Sequence, residues 1–209
     1  NKFMIEGLMM GLSDMIQANT PKVVAIIPAR GGSKRLKRKN IHPVCEKPMI
    51  AWAIKAALES KQITDVWVTT EDPEIKSIAI EYGAKVHNRD AELSADSVFK
   101  MEAIRSATRF IERNHYMPDV VVSLQANSPE IRASMLDDAI SVFVENGRNE
   151  LISVNSNLMM NAAFRIMKGA YVHQRDLSVK TGAYICNVHD VHTLKDVKLI
   201  EDRWFENDC

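Results

Sequence analysis

Cysteine is scarce in this 209-residue chain: Cys45, Cys186 and Cys209 lie far apart and form no Cys-x-x-Cys pair. That argues against a disulfide framework or a thiolate zinc site, and it fits a reducing compartment such as the cytoplasm. An excess of one charge is also missing, since 27 Lys and Arg balance 27 Asp and Glu. General nucleic-acid and membrane-surface binders are usually basic overall, so neither partner is expected. No apolar run is long enough to span a bilayer. The first twenty residues carry Glu6 and Asp14 and lack a basic segment leading into a continuous apolar one, which makes a poor signal peptide. The six histidines show no metal-ligand spacing apart from His189-x-x-His192, which on a polar stretch reads as a surface pair. No internal repeat, low-complexity tract or linker divides the chain.

The composition is that of one globular domain with a real core, 46% hydrophobic and 26% charged. Met4, Ile5, Leu8, Met9, Leu12, Met15 and Ile16 recur at three- and four-residue steps, so residues 1–20 read as an amphipathic helix packed on the domain or on a partner subunit. Residues 21–209 form the second unit, a single α/β domain. Apolar, β-branched runs predict buried strands over 23–27, 65–70, 85–87, 119–124 and 151–154. Helical periodicity and start signals predict helices opening at Pro48, at Asp72-Pro73, over 97–115 and over 129–143. This alternation means βαβ units and a Rossmann-like, mostly parallel sheet with helices on both faces. Beyond residue 155 the pattern weakens. Strands over 164–167, 170–172 and 183–188 and a short helix over 190–196 read as an antiparallel excursion.

Ligands of such sheets bind at the carboxyl ends of the strands. The most informative stretch lies at one of those ends. The run Val23-Val24-Ala25-Ile26-Ile27 stops at Pro28, and a loop follows with six Lys or Arg in ten residues: Arg30, Lys34, Arg35, Lys37, Arg38 and Lys39. It contains no acid. It has neither the GxxxxGK[ST] of a Walker-type loop nor the GxGxxG of a dinucleotide site. Charge alone would fit a solvated loop or a nucleic-acid patch. Its place after a buried strand favours a polyanion such as a nucleoside triphosphate, because Gly31-Gly32 lets backbone N–H groups approach phosphate closely.

The run Ile27-Pro28-Ala29-Arg30-Gly31-Gly32-Ser33-Lys34-Arg35-Leu36, with Lys39-Asn40-Ile41, closely resembles the signature of the cytidylyltransferases that make CMP-sugar acids. These are the CMP-N-acylneuraminate synthetases, with the CMP-Kdo synthetases as relatives. Further segments are similar in the same order: Thr69-Thr70-Glu71-Asp72, Asn88-Arg89-Asp90-Ala91-Glu92-Leu93, Leu124-Gln125-Ala126-Asn127-Ser128-Pro129 and Thr181-Gly182-Ala183-Tyr184-Ile185. The resemblance covers roughly residues 23 to 200. It implies a nucleotide-binding set of Ala29, Arg30, Gly31, Gly32, Ser33, Lys39, Asn40 and Arg89. Arg30 and the Gly31-Gly32-Ser33 backbone would cradle the triphosphate of CTP. Lys39 would offset charge as pyrophosphate leaves, Asn40 would contact ribose or phosphate, and Arg89 would read cytosine. Gln125 would orient the acidic sugar, with Asn127, Ser128 and Gly182 completing the acceptor set. Arg30, Lys39 and Gln125 would carry catalysis, Mg²⁺ would serve as cofactor, and the protein would be a cytoplasmic homodimer.

Three features depart from that family. Its Asp-Ile-Asp-Thr-type motif, whose carboxylates hold the metal, has no counterpart here. The chain stops at Glu206-Asn207-Asp208-Cys209, about where that motif would begin, so the domain is expected to lack its carboxyl-terminal tail and no metal ligand is assigned. Ala126-Asn127 stands where the family has Pro-Thr, in the acceptor loop. The stretch between residues 164 and 181 is short, with His173, Arg175 and Lys180 as its polar candidates. The expected reaction is CMP transfer from CTP to a sialic acid-like nonulosonate. The alternatives are transfer to Kdo or a phosphonate, and a non-catalytic nucleotide-binding relative.

Overall fold

A computed structural model describes residues 21–95 and 98–205. The expected helix over residues 1–20 lies outside the described residues.

Five strands match the sequence-based reading closely: β1 (Val23–Pro28), β4 (Asp65–Thr70), β5 (Lys85–Asn88), β6 (Val120–Leu124) and β7 (Glu150–Val154). Between β1 and β4 come a small hairpin, β2 (Pro43–Val44) with β3 (Lys47–Pro48), and helix α1 (Met49–Glu59). The other helices are α2 (Pro73–Glu81), α3 (Lys100–Asn114), α4 (Ala133–Glu145) and α5 (Leu194–Phe205). With β8 (Met160–Lys168) and β9 (Thr181–Ile185), the main strands form a seven-stranded sheet in the order β5-β4-β1-β6-β8-β7-β9.

β1 is apolar throughout because both its faces are covered. Val23, Ala25 and Ile27 join a cluster with Ile50 and Ile54 of α1, Ile75 of α2 and Leu136 and Ile140 of α4. Val24 and Ile26 point the other way, onto Ile104, Ala107 and Ile111 of α3. The period-2 alternation of a strand thus builds two core layers from one run of residues. Each fully buried Ile or Leu in these layers contributes roughly 1.5–3 kcal/mol of transfer free energy. A third, smaller cluster seats α5 on the hairpin, through Val44, Met49, Val191, Val197 and Ile200.

β1 pairs in parallel with β4 on one side and with β6 on the other. The chain therefore steps outward from β1 to β4 and β5, then returns to the far side of β1. The β1–β6 boundary is the point where strand order reverses, and a crevice opens at the carboxyl ends there.

The antiparallel excursion is a single strand, β8, which runs against both β6 and β7. The β7–β8 connection is tight, with Asn155 Oδ1 accepting from the Asn157 and Met159 N–H groups at 3.0 Å each, and so short a connection forces antiparallel pairing. Several boundaries differ from expectation: β8 begins at Met160 and not at 164, and β9 covers Thr181–Ile185 and not 183–188. Residues 170–172 are not a strand, and Gly169–Tyr171 forms a 3-10 turn. There Gly169 crosses Pro118 so closely that a Cβ would sit 1.9 Å from its carbonyl oxygen. The helix expected from Pro129 starts at Ala133, because Ile131 N–H closes a separate turn on Ser128 O (3.2 Å) and Arg132 is extended. The helix expected over 190–196 starts at Leu194 and runs to Phe205. Thr193 and Asp196 cap its start reciprocally, the Asp196 carboxylate accepting from Thr193 N–H at 2.8 Å and Thr193 Oγ1 accepting from Asp196 N–H at 3.4 Å.

Candidate active site

Ala29 N–H donates to Thr69 O at 3.1 Å and extends the ladder one residue past β1, so the basic loop leaves the sheet at Arg30. Asn40 is buried and its Nδ2 donates to Arg30 O at 2.9 Å, which ties the two ends of the loop together. Gly31 lies against the β4–α2 turn, where an added Cβ would stand 2.2 Å from Asp72 Oδ2. Gly32 has open space around it. The first glycine is therefore required by packing against Asp72, a constraint that the sequence alone does not reveal.

Glu71 and Asp72 organise the loop from below. Glu71 accepts from Gly31 N–H at 2.9 Å, from Arg89 Nη2 at 2.6 Å and from Ser94 Oγ at 2.5 Å. Burial pushes its carboxyl upward, but these hydrogen bonds outweigh burial and hold its pKa below the ordinary value. Asp72 caps α2, accepting from Glu74 and Ile75 N–H at 3.0 Å each, and pairs with Arg38. Its pKa is likewise lowered, with burial opposed first by the Arg38 hydrogen bond. Arg30 Nη1 donates to Ser94 O at 3.2 Å, so the 88–95 segment and the basic loop face each other.

Between them, at the β1–β6 switch point, is a cavity of about 560 Å³. Its walls carry six cations, Arg30, Lys34, Arg35, Lys39, Arg89 and Lys100, and among the described residues no carboxylate lines it. Burial lowers the pKa of Lys39, Arg35 and Arg30 lower it further, and Asp190 opposes them. Arg89 is buried, donates to Ala29 O at 3.4 Å as well as to Glu71, and leaves its Nε without a partner. A buried donor such as Arg89 Nε is costly unless an acceptor enters, and a wall with several cations and no acid suits a polyanionic ligand.

Most of the residues singled out from sequence come together here. Arg30, Ser33, Lys39, Asn40, Arg89, Gln125 and Asn127 all line the cavity, and Ala29, Gly31 and Gly32 belong to the loop that forms its wall. Gln125 directly follows β6, its N–H bonded to Ala163 O at 2.9 Å. Asn127 and Ser128 do different work. Asn127 Nδ2 donates to Val191 O at 2.8 Å and Val191 N–H returns a bond to Asn127 O at 2.8 Å, while Ser128 Oγ bonds the Asp190 carboxylate. Their side chains clamp the 189–192 segment onto the sheet, and Ser128 does not reach the cavity wall. Gly182 is not brought to the site. It pairs with Leu151 at the outer strand β9, and an added Cβ there would meet Leu151 and Arg148.

Two further residues stand on the cavity wall: His192, which the sequence offered only as half of a surface pair with His189, and Lys100, which it did not single out. His192 lines the wall with its Nδ1 buried and unpartnered, and burial, then Lys39 and Arg35, lower its pKa. Lys100, at the start of α3, donates to Gln125 Oε1 at 3.1 Å. Neither belongs to the segments that carry the family resemblance; the fold carries them in from distant positions. Among the described residues no group of three His, Cys, Asp or Glu side chains is placed to hold a metal ion, and no helix is long and apolar enough to cross a membrane.

A parallel sheet with a cationic loop over its switch-point crevice defines a Rossmann-like α/β domain of the nucleotidyltransferase type. The chain belongs to the cytidylyltransferase family, whose model matches residues 24–202. It is 38% identical over 132 residues to N-acylneuraminate cytidylyltransferase A of Danio rerio, covering 63% of this chain and 30% of that protein. It is 37% identical over 126 residues to a pseudaminic acid cytidylyltransferase of Campylobacter jejuni, covering 60% of this chain and 54% of the relative. The chain thus spans from under a third to about half the length of these relatives. Among solved structures, a CMP:2-keto-3-deoxy-manno-octonic acid synthetase complexed with CTP superposes with a TM-score of 0.69 at 17% identity, over 88% of this chain and 99% of the other. A cytidylyltransferase from Leptospira borgpetersenii gives 0.71 at 18% identity, over 89% and 87%. These two likenesses concern the fold.

Proposed function

We propose that the chain carries the CTP site of an enzyme that transfers CMP to an acidic, sialic acid-like nonulosonate and releases pyrophosphate. The observation that carries this reading is the cavity at the β1–β6 switch point, lined by six cations and, among the described residues, by no acid. Family membership and relatives named for N-acylneuraminate and pseudaminic acid support the same substrate pair.

In this reading the triphosphate lies along the basic loop, with Arg30 and Ser33 on its oxygens and Lys39 beside the departing pyrophosphate. Asn40 holds the loop at the ribose end. Arg89, fixed by Glu71, presents its unpartnered Nε to the base. Gln125 orients the acceptor. The anomeric hydroxyl oxygen of the sugar forms a bond to the α-phosphorus as the bond from that phosphorus to the bridging oxygen breaks. Pyrophosphate takes the electron pair, and the hydroxyl proton is lost to solvent. Catalysis comes from positioning and from cations preorganised around developing negative charge.

Mg²⁺ belongs to the proposal as a companion of the triphosphate. The described residues do not supply a ligand set for it, so no step is assigned to the metal. We also place the protein in the cytoplasm, where CTP is made, and as a homodimer. The exposed Leu158, Met159 and Met160 at the β7–β8 tip are candidates for the shared surface. The test is pyrophosphate release by the full-length protein from CTP with Mg²⁺ and a panel of acidic sugars. Release that depends on a nonulosonic acid is expected. CTP binding without release on any acid would overturn the enzymatic reading.

A further inference from the structure

We propose that Lys100 and Gln125 together form the seat of the acceptor's carboxylate, so that Lys100 selects an acid over a neutral sugar. This deepens the reading above and rests on it. Lys100 is the first residue of α3, a position where the helix dipole disfavours a cation and an acid would be stabilising. The Phe99 side chain ahead of it offers no cap. Local stability therefore gives no reason for a lysine here.

Its surroundings do. The Lys100 side chain is exposed to solvent on the wall of the cavity that it lines. Its hydrogen bond at 3.1 Å is to the Gln125 side-chain oxygen, a neutral acceptor, and it forms no ion pair with any described carboxylate. Burial lowers its pKa; Asp190 opposes that from a distance and Arg165 adds to it. A carboxylate entering at this point would give the ammonium a charged acceptor beside its neutral one. The Gln125 amide nitrogen, left over when its oxygen takes the lysine, would be a second donor to the same group.

Position separates this pair from the nucleotide loop. Arg30, Lys34, Arg35 and Lys39 belong to the loop after β1, whereas Gln125 follows β6 and Lys100 opens the helix packed on the opposite face of the sheet from α1. A ligand spanning both sides would place its triphosphate on the first set and its acid group on the second.

The test is steady-state kinetics of the full-length protein with N-acetylneuraminic acid, varied at saturating CTP, and with CTP varied at saturating acid. For Lys100→Met, the KM for the acid should rise about 10- to 100-fold, the range for a lost charge-assisted hydrogen bond, while the KM for CTP stays within about twofold. Lys100→Arg should recover part of the loss. With the carboxamide of the same sugar, wild type and Lys100→Met should have equal kcat/KM. An unchanged acid KM would overturn the assignment. So would a loss of CTP affinity, which would assign Lys100 to phosphate. Failure of the wild type to release pyrophosphate with any acid is a separate result, and it would remove the enzymatic reading on which the inference rests.

Discussion

Gly31→Ala is the substitution whose effect can be worked through most fully. The new methyl would stand 2.2 Å from Asp72 Oδ2, 3.0 Å from its Cγ and 3.1 Å from its Cβ. Asp72 must then move, and it is the N-cap of α2 and the partner of Arg38. Losing the cap costs about 1 kcal/mol, within a range of roughly 0.5–2. The half-exposed ion pair adds at most about 1 kcal/mol. The expected total is about 1–3 kcal/mol, read as the shift in a urea midpoint followed by tryptophan fluorescence. A double-mutant cycle makes the argument specific. Asp72→Ala alone loses the cap and the ion pair, and in that background the methyl of Gly31→Ala meets only the position-72 Cβ at 3.1 Å, which a shift of a few tenths of an ångström relieves. The double variant should therefore be about as stable as Asp72→Ala, well short of the sum of the two single effects. Additive losses would show that the approach to Asp72 is not what requires glycine at position 31.

Other outcomes follow from the same geometry. Arg30→Ala should weaken CTP binding about 10- to 100-fold by calorimetry, and unchanged affinity would take the loop out of the site. Glu71 has a folded pKa below its unfolded value, so its contribution to stability is present above about pH 4 and is lost as pH falls through the folded value. Glu71→Gln should thus lower the urea midpoint at pH 7, with the difference closing towards pH 3; a pH-independent difference would contradict the assignment. Burial pushes the Cys186 thiol up to about 11, so iodoacetamide at pH 7.5 should label half-buried Cys45 well before Cys186 by peptide mass spectrometry, and equal rates would refute this.

The parallel half of the fold was legible because β1, β4 and β6 are buried on both faces and announce themselves as continuous apolar runs. The basic loop was legible for a related reason: so many cations without an acid, placed after such a run, have few structural explanations. What stayed hidden depends on contacts across long sequence separations. Ser128 looks like a substrate group in a polar loop but bonds Asp190, and Asn127 lines the cavity while its Nδ2 donates to Val191 O; these partners meet only once the sheet has folded. Gly182 sits in a motif-like strand but pairs at the sheet's outer edge. The β8 strand was read too short because its first three residues, Met160 to Ala162, are not buried and include no β-branched residue. Lys100 carries no local signature, and His192 reads locally as a surface histidine; only the folded sheet brings them to the cavity wall.

The central claim is that the crevice between the ends of β1 and β6 holds CTP. A crystal structure of the full-length protein with CTP tests it most directly. The triphosphate should lie against Arg30, Ser33 and Lys39, with the base beside Arg89 and open space left next to Gln125 and Lys100. A nucleotide bound anywhere else on the domain, with this cavity empty, would contradict the account.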